Sequence, residues 1–262
     1  MGILNATPDS FSDGGEYLSL QKAIGRVEEM INQGADLIDI GGESTRPGSD
    51  PVSLKQEVDR VLPIFEKCIP LFPDTLFSVD TTKYEVARRA LDVGAHIIND
   101  VSGLQKEPRF AELCADYQCG YVLMHSQGDP KTMQNNPDYE NIIEEISLFF
   151  ESGLKQLKEA GVKSVILDPG IGFGKTLQHN CDIVAGLHKF TKFGYPVLVG
   201  ASRKSMIGKL LDNRPVEGRL SGTLAVHYHS LMNGARFLRV HDVQEASDSI
   251  KVFTALTNSL EI

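Results

Sequence analysis

Eight apolar runs punctuate the chain, and each stops at a polar residue able to do chemistry. They are GILN at 2–5, DLIDIGGES at 36–44, LFSVD at 76–80, HIIND at 96–100, YVLMH at 121–125, VILD at 165–168, VLVGAS at 197–202 and FLRVHD at 237–242. VILD and VLVG are apolar at every early position, as expected of parallel strands covered on both faces. Most of the intervening stretches have helical periodicity. In LQKAIGRVEEMINQGA, Ala23, Val27, Met30 and Ile31 recur at helical spacing, and Gly34 supplies a stop. LKQEVDRVLPIFEKCI and YENIIEEISLFFESGLKQLKEAG repeat the pattern, the second closing at Gly161. Their apolar stripes predict faces packed on a sheet. Eight strand–helix units predict an α/β fold, a (β/α)8 TIM barrel, with chemistry gathered where the parallel strands finish. A doubly wound sheet is the rival architecture. It collects ligands at a switch point and favours GxGxxG after the first strand. Here that position holds NATPDSFSDGG, and polar residues end all eight runs.

Length and composition narrow the picture. The 262 residues match the usual size of one such barrel, and no linker or low-complexity segment divides them, so residues 1–262 read as a single domain. No apolar run approaches the roughly 20 residues that cross a bilayer. No basic region followed by an apolar segment opens the chain, so no signal peptide is expected. The four cysteines (Cys68, Cys114, Cys119, Cys181) show no CxxC spacing, which predicts reduced thiols in helices of a cytoplasmic protein. A net charge of −9 argues against general nucleic-acid binding. An anionic small substrate stays open, because nearby cations outweigh distant net charge at short range.

One motif misleads. PGIGFGKT at 169–176 follows a strand and looks like a phosphate loop. A P-loop needs four residues between its first glycine and GK[ST]. Counting back puts Pro169 at that glycine, and Gly170 leaves only three residues between. The alternative is a tight strand-to-helix loop whose glycines let the backbone approach a ligand.

The strand ends form two chemical sets. Asp80, Asn99 and Asp168 supply carboxylates and an amide. They suit a flat heterocycle with an N–H beside an exocyclic amine, such as an aminopyrimidinone. Arg46, Arg203, Lys204, Arg239 and His241 supply cations that suit phosphate or carboxylate. Singly, a strand-end Asp is as often a helix cap, and a lone Arg is more often a surface ion pair. A shared barrel face is what gives the sets weight.

Seven long segments then carry a resemblance. GILNATPDSFSDGG (2–15), DIGGESTRPGS (39–49), SVDTTK (78–83), INDVSG (98–103), LDPGIGFGKT (167–176), GASRKSMIG (200–208) and RVHDV (239–243) closely resemble the dihydropteroate synthase family of bacterial folate synthesis. The likeness covers almost the whole chain, in the family's order. It implies condensation of 6-hydroxymethyl-7,8-dihydropterin pyrophosphate with 4-aminobenzoate, releasing pyrophosphate, with Mg2+ as cofactor. By motif, Asp80, Asn99, Asp168 and Lys204 hold the pterin. Arg239 packs near its ring. Arg239, His241, Asn5 and Thr45 face the pyrophosphate, and Asn5 is the protein ligand to Mg2+. Loops carrying Asp13 and Arg46 close over the substrates, and Pro47, Phe173, Lys204 and Ser205 border the aminobenzoate pocket. The catalytic set is then Asp13, Arg46, Asp80, Lys204 and Arg239. Sulfonamides are expected to compete with aminobenzoate, and a homodimer is the implied assembly.

The implied chemistry is coherent. Pyrophosphate leaves a carbon attached to an electron-rich ring, so a cation-like intermediate forms, and an aromatic amine needs little activation to attack it. Fixed charges around that centre are typically the largest catalytic term. A few positions depart from the family's pattern. The chain starts inside the first strand, where relatives carry a short leading segment. Ala6 stands where Val is usual, and Ser126 where a second Met is expected. His227 and His229 lie two apart on a helix and point in different directions, which suits packing or surface roles better than a metal pair. Two rival functions share the fold: an aldolase or lyase using Lys204 as a Schiff-base amine, and a pterin-binding module of corrinoid methyl transfer. The Asp/Asn set opposes the first. Asp13, Ser44, Thr45, Arg46 and the RVHDV end oppose the second.

Overall fold

The computed structural model describes residues 1–7, 15–44, 50–128, 133 and 137–258, with the backbone alone at 15–18. Asp13, Thr45, Arg46 and Pro47, which the sequence places in the site, lie outside the described residues. Strands and helices alternate: β1 (Gly2–Asn5), α1 (Gly15–Asn32), β2 (Leu37–Gly41), α2 (Leu54–Leu71), β3 (Leu76–Asp80), α3 (Tyr84–Asp92), β4 (Ile97–Asp100), α4 (Phe110–Tyr117), β5 (Gly120–Met124) and α5 (Ile142–Ala160). Then follow β6 (Ser164–Asp168), α6 (Leu177–Ala185), β7 (Val197–Val199), α7 (Ser205–Leu210), α8 (Leu220–Met232), β8 (Ala235–Leu238) and α9 (Val243–Asn258). The strands form one parallel sheet in sequence order. Beyond β8, Val240 bridges to Gly2: Ile3 N–H donates to the Val240 carbonyl at 3.0 Å, and Val240 N–H to the Met1 carbonyl at 2.9 Å.

Each expected strand is present, though four stop before their apolar runs do. β2 stops at Gly41, β5 at Met124, β7 at Val199 and β8 at Leu238. Helix signals read from the sequence also hold. Ala23, Val27 and Met30 are buried, Gly34 has φ +97°, and Gly161 ends α5 in the left-handed region. Ser53 and Gln56 cap the start of α2 reciprocally, satisfying two otherwise orphaned amides. One expectation is corrected: Cys119 lies just before β5 rather than in a helix, because Gln118 ends α4 with φ +52°. All four cysteines are free.

Side-chain alternation explains how the sheet holds both core and site. Residues i and i+2 of a strand share a face. Ile38, Ile40, Phe77, Val79, Ile98, Tyr121, Leu123, Val165, Leu167, Val197, Val199 and Leu238 belong to the large core shared with the helices. The opposite face starts with a separate apolar cluster, Leu37, Ile97, Val122, Ile166 and Leu198, with Phe237 packed against it. Two residues further along that same face stand Asp39, Asn99, Asp168 and Arg239, with Asp80 two beyond Ser78. An apolar plug therefore supports a polar layer at the strands' C-terminal ends.

Candidate active site

Backbone register sets the first row. Asn5 pairs with Gly41, Gly41 with Asp80, and Asp80 with Asn99. Gly41 contributes no side chain there, and a Cβ would stand 3.3 Å from that of Asp80. Asp39, fully buried below this row, is the hub. Its carboxylate accepts from Ser78 Oγ at 2.5 Å, Asn99 Nδ2 at 2.9 Å and Arg239 Nε at 2.7 Å. Arg239 also donates Nη2 to Asp80 Oδ2 at 2.7 Å. The other Asp80 oxygen, Oδ1, is buried with no partner among the described residues. Burial and the neighbouring Asp39 carboxylate push the Asp80 carboxyl well above its ordinary range, against the pull of Arg239. A buried acceptor left open in this way costs stability, and such costs concentrate at functional sites.

The second cluster lies at the end of β6. Asp168 is buried, and its Oδ1 accepts Gly170 N–H at 2.7 Å. Burial raises the Asp168 carboxyl, opposed chiefly by Lys204. Lys204 caps α7, donates Nζ to the Ile171 carbonyl and stands 4.5 Å over the Phe173 ring. Burial draws its pKa down to about 8, with Asp168 pulling the other way. Gly170 (φ +67°) and Gly172 (φ +85°) shape this loop. A Cβ on Gly170 would come within 1.8 Å of the His125 carbonyl, and one on Gly172 would press on Lys204 at 3.1 Å. The tight strand-to-helix loop that the sequence predicts in place of a P-loop is present, and its glycines are packed closely on neighbouring protein atoms.

The remaining expected residues border these clusters. His241 turns Nδ1 towards Ser202 Oγ at 3.1 Å, and its N–H donates to the same oxygen. Arg203 is tied to Asp242 through Nε at 2.8 Å and through Nη2, so its cation is engaged outside the inner face. Ser205 opens α7 and is exposed. Beside the segment 45–49, Glu43 accepts Val52 N–H at 3.2 Å, and Lys83 bridges Glu43 to the buried Glu57. Although burial opposes it, these hydrogen bonds hold Lys83 above its usual pKa.

Similarity to known proteins agrees with this arrangement. A family model described as pterin binding enzyme matches residues 1–241. The dihydropteroate synthase of Escherichia coli K12 is 48% identical over 263 residues, covering 100% of this chain and 92% of its own. The chain belongs to the dihydropteroate synthase family. Among solved structures, Yersinia pestis dihydropteroate synthase in complex with a sulfonamide drug superposes with a TM-score of 0.91 at 44% identity, covering 98% of this chain and 93% of that one. Xanthomonas albilineans dihydropteroate synthase with 4-aminobenzoic acid gives a TM-score of 0.91 at 39% identity, covering 98% and 92%.

Of the residues that the sequence assigns to the site, the structure brings Asp80, Asn99, Asp168, Lys204, Phe173 and Arg239 to one end of the sheet. Sequence reasoning misses Asp39, Lys175, His125 and Glu57. Asp39 had a signal: a lone carboxylate at an alternating position within LIDIG. Glu57 carried none, since an acidic residue in a helical stretch ordinarily faces water. His227 is buried, with neither ring nitrogen bonded among the described residues, whereas His229 is exposed. The pair therefore takes one packing and one surface role.

Proposed function

We propose that this protein is a pterinylmethyl transferase of folate synthesis, joining 6-hydroxymethyl-7,8-dihydropterin pyrophosphate to 4-aminobenzoate with release of pyrophosphate. The observation that carries the reading is Asp80 Oδ1, a buried carboxylate oxygen left open among the described residues, paired in register with Asn99 at the sheet end that also carries Asp168. It fits an N–H donor on a flat heterocycle. Asp168 accepts the adjacent N–H and amine, and Asn99, its N–H group turned to Asp39, offers its carbonyl oxygen. Lys204 donates to the ring's carbonyl side.

As the pyrophosphate departs, positive charge grows on the methylene carbon. The Asp80 carboxylate stabilises it, and Arg239, held in place by Asp39, neutralises the leaving group together with His241. These groups are set before reaction, so little reorganisation is needed. The aminobenzoate ring lies between Phe173 and the stem of Lys204, with its carboxylate near Ser205, and attacks through its amine. The loops holding Asp13, Thr45, Arg46 and Pro47 complete the pocket and exclude water that would capture the cation.

Asn5 fits Mg2+. It ends β1 in line with the polar row, offers a hard amide oxygen and is only half-buried. No group of three or more His, Cys, Asp or Glu suited to a metal occurs among the described residues. That matches a cation held by one protein oxygen, substrate phosphates and water. When bound, Mg2+ would offset charge on the pyrophosphate oxygens.

The same proposal includes a closed (β/α)8 barrel in one domain, supported by the Val240 hydrogen bonds to β1. It also includes a homodimer, favoured by apolar residues exposed on the outer helices, Met232, Ile250, Val252 and Leu256. A cytoplasmic location is consistent with four free thiols. No described helix is long and apolar enough to cross a membrane. Purified protein should release pyrophosphate only when aminobenzoate, pterin pyrophosphate and Mg2+ are all present. Pyrophosphate release indifferent to aminobenzoate would overturn the reading. One observation favours a lyase instead, the lowered pKa of Lys204. A borohydride-trapped adduct on Lys204 with a carbonyl substrate would support it.

A further inference from the structure

The GFGKT segment keeps a lysine that the look-alike P-loop would aim at phosphate, yet here Lys175 points inward. Its side chain is 3% exposed. The ammonium has three donors and meets three acceptors: the Phe173 carbonyl at 2.9 Å, His125 Nδ1 at 3.0 Å and the His125 carbonyl at 3.3 Å. Burial lowers its pKa to about 7, opposed by Asp168. His125 is held to about 3, first by burial and then by Lys175, so it is a neutral ring that accepts through Nδ1. No carboxylate lies within ion-pair distance of Lys175 among the described residues. A buried cation without a contacting counter-ion is costly, and packing alone would be better served by Leu or Met.

What the cation joins accounts for the cost. Its acceptors lie on two different loops, after β5 at His125 and after β6 at Phe173. The second loop is pinned elsewhere as well. Gly172 N–H donates to Asn180 Oδ1 at 2.6 Å, Phe173 N–H to the Gly170 carbonyl at 3.1 Å, and Tyr139 OH to the Gly174 carbonyl at 2.8 Å. Gly170 and Gly174 press against the carbonyls of His125 and Gln127, where a Cβ would fall within 1.8 and 2.3 Å. At the turn between these anchors stands Phe173, whose ring faces Lys204. Among these contacts, the Lys175 bond is the one that reaches the Phe173 carbonyl.

We propose that Lys175 is a positioning residue for the amine substrate: by clasping the Phe173 and His125 carbonyls, its buried ammonium sets where the Phe173 ring stands against Lys204. The proposal rests on the functional reading above and adds to it the group that builds the aminobenzoate wall.

The test is steady-state kinetics of Lys175→Met, alone and in a Phe173→Ala background, with calorimetry for the pterin substrate and circular dichroism to establish folding. The KM for aminobenzoate should rise at least about tenfold, while pterin pyrophosphate affinity changes less than about threefold. In the Phe173→Ala background the same substitution should add less than about threefold, because the ring it positions is gone. Lys175→Arg should recover part of the lost affinity. If Lys175→Met does not fold, Lys175→Gln, which keeps a donor, should show the same split at smaller size. Equal effects on both substrates, or an undiminished rise without Phe173, would assign Lys175 a general structural role and overturn the proposal. The unsubstituted enzyme separates the two readings. If it shows no aminobenzoate-dependent turnover, the functional reading fails. If it turns over but its aminobenzoate KM is indifferent to Lys175, only this assignment fails.

Discussion

Arg239→Met is the most informative single perturbation. The guanidinium is one-fifth exposed, and its two carboxylate partners are 0% and 7% exposed, so solvent screens these contacts little. Each contact is 2.7 Å long. Methionine keeps most of the aliphatic volume and removes both charge-assisted bonds. Leaving buried charge without its partner costs about 3–5 kcal/mol. The cost should depend on pH in a definite direction. In the native enzyme the Asp80 carboxyl is already raised by burial and by Asp39, and Arg239 is what opposes that. Without Arg239 it rises further. A group with a raised native pKa binds more protons folded than unfolded, between its unfolded value and its native one. Stability therefore falls as pH rises through that window. The variant, with the wider window, should lose more at pH 7.5 than at pH 5. Urea unfolding of both proteins at the two pH values measures the difference. A deficit below about 1 kcal/mol at pH 7.5, or one unchanged at pH 5, would refute the account of Arg239 as the balancing charge. On the proposed function the kcat should also fall, because that proposal assigns the same side chain to the leaving group.

Three further outcomes are expected. Asp168→Asn should weaken pterin binding about tenfold or more, since an amide cannot accept both ligand donors and each unmatched donor costs about 1–3 kcal/mol; calorimetry with unchanged affinity would remove Asp168 from the site. Sulfonamides should compete with aminobenzoate and not with pterin pyrophosphate, and substitution at Phe173 should weaken drug more than substrate; inhibition that excess aminobenzoate cannot relieve would contradict the pocket. His227 is held neutral by burial, its pKa lowered to about 4. A depressed native value means stability is present above the unfolded pKa of about 6.5 and is lost as pH falls towards 4, by about 3 kcal/mol in all. His227→Leu should flatten that acid limb in thermal melts between pH 7 and 4, and an identical acid limb would show that another group causes it.

Much of this protein was legible in one dimension because its signals are local. Strand and helix alternation, the stops at Gly34 and Gly161, and the polar strand ends follow from side-chain period and backbone freedom. A strand's face repeats every two residues, so Asp80, Asn99 and Asp168 had to emerge at one end once the strands were parallel. The long motifs around them then identified the family.

Other features depend on which groups the closed-up chain brings together. Asp39 becomes a hub only because residues 39, 99 and 239, remote in sequence, converge on one carboxylate. The sequence excludes a phosphate loop around Lys175 without saying what that lysine meets, and it becomes an internal clasp because two carbonyls and an imidazole meet its side chain across the β5 and β6 loops. Glu57 lies in an amphipathic helix like any surface acid, yet it is buried because Thr81 and Lys83 from another loop reach it. Periodicity reports which face a residue occupies. Only tertiary structure decides which partners satisfy a buried charge, because partner distance in space is not encoded by distance along the chain.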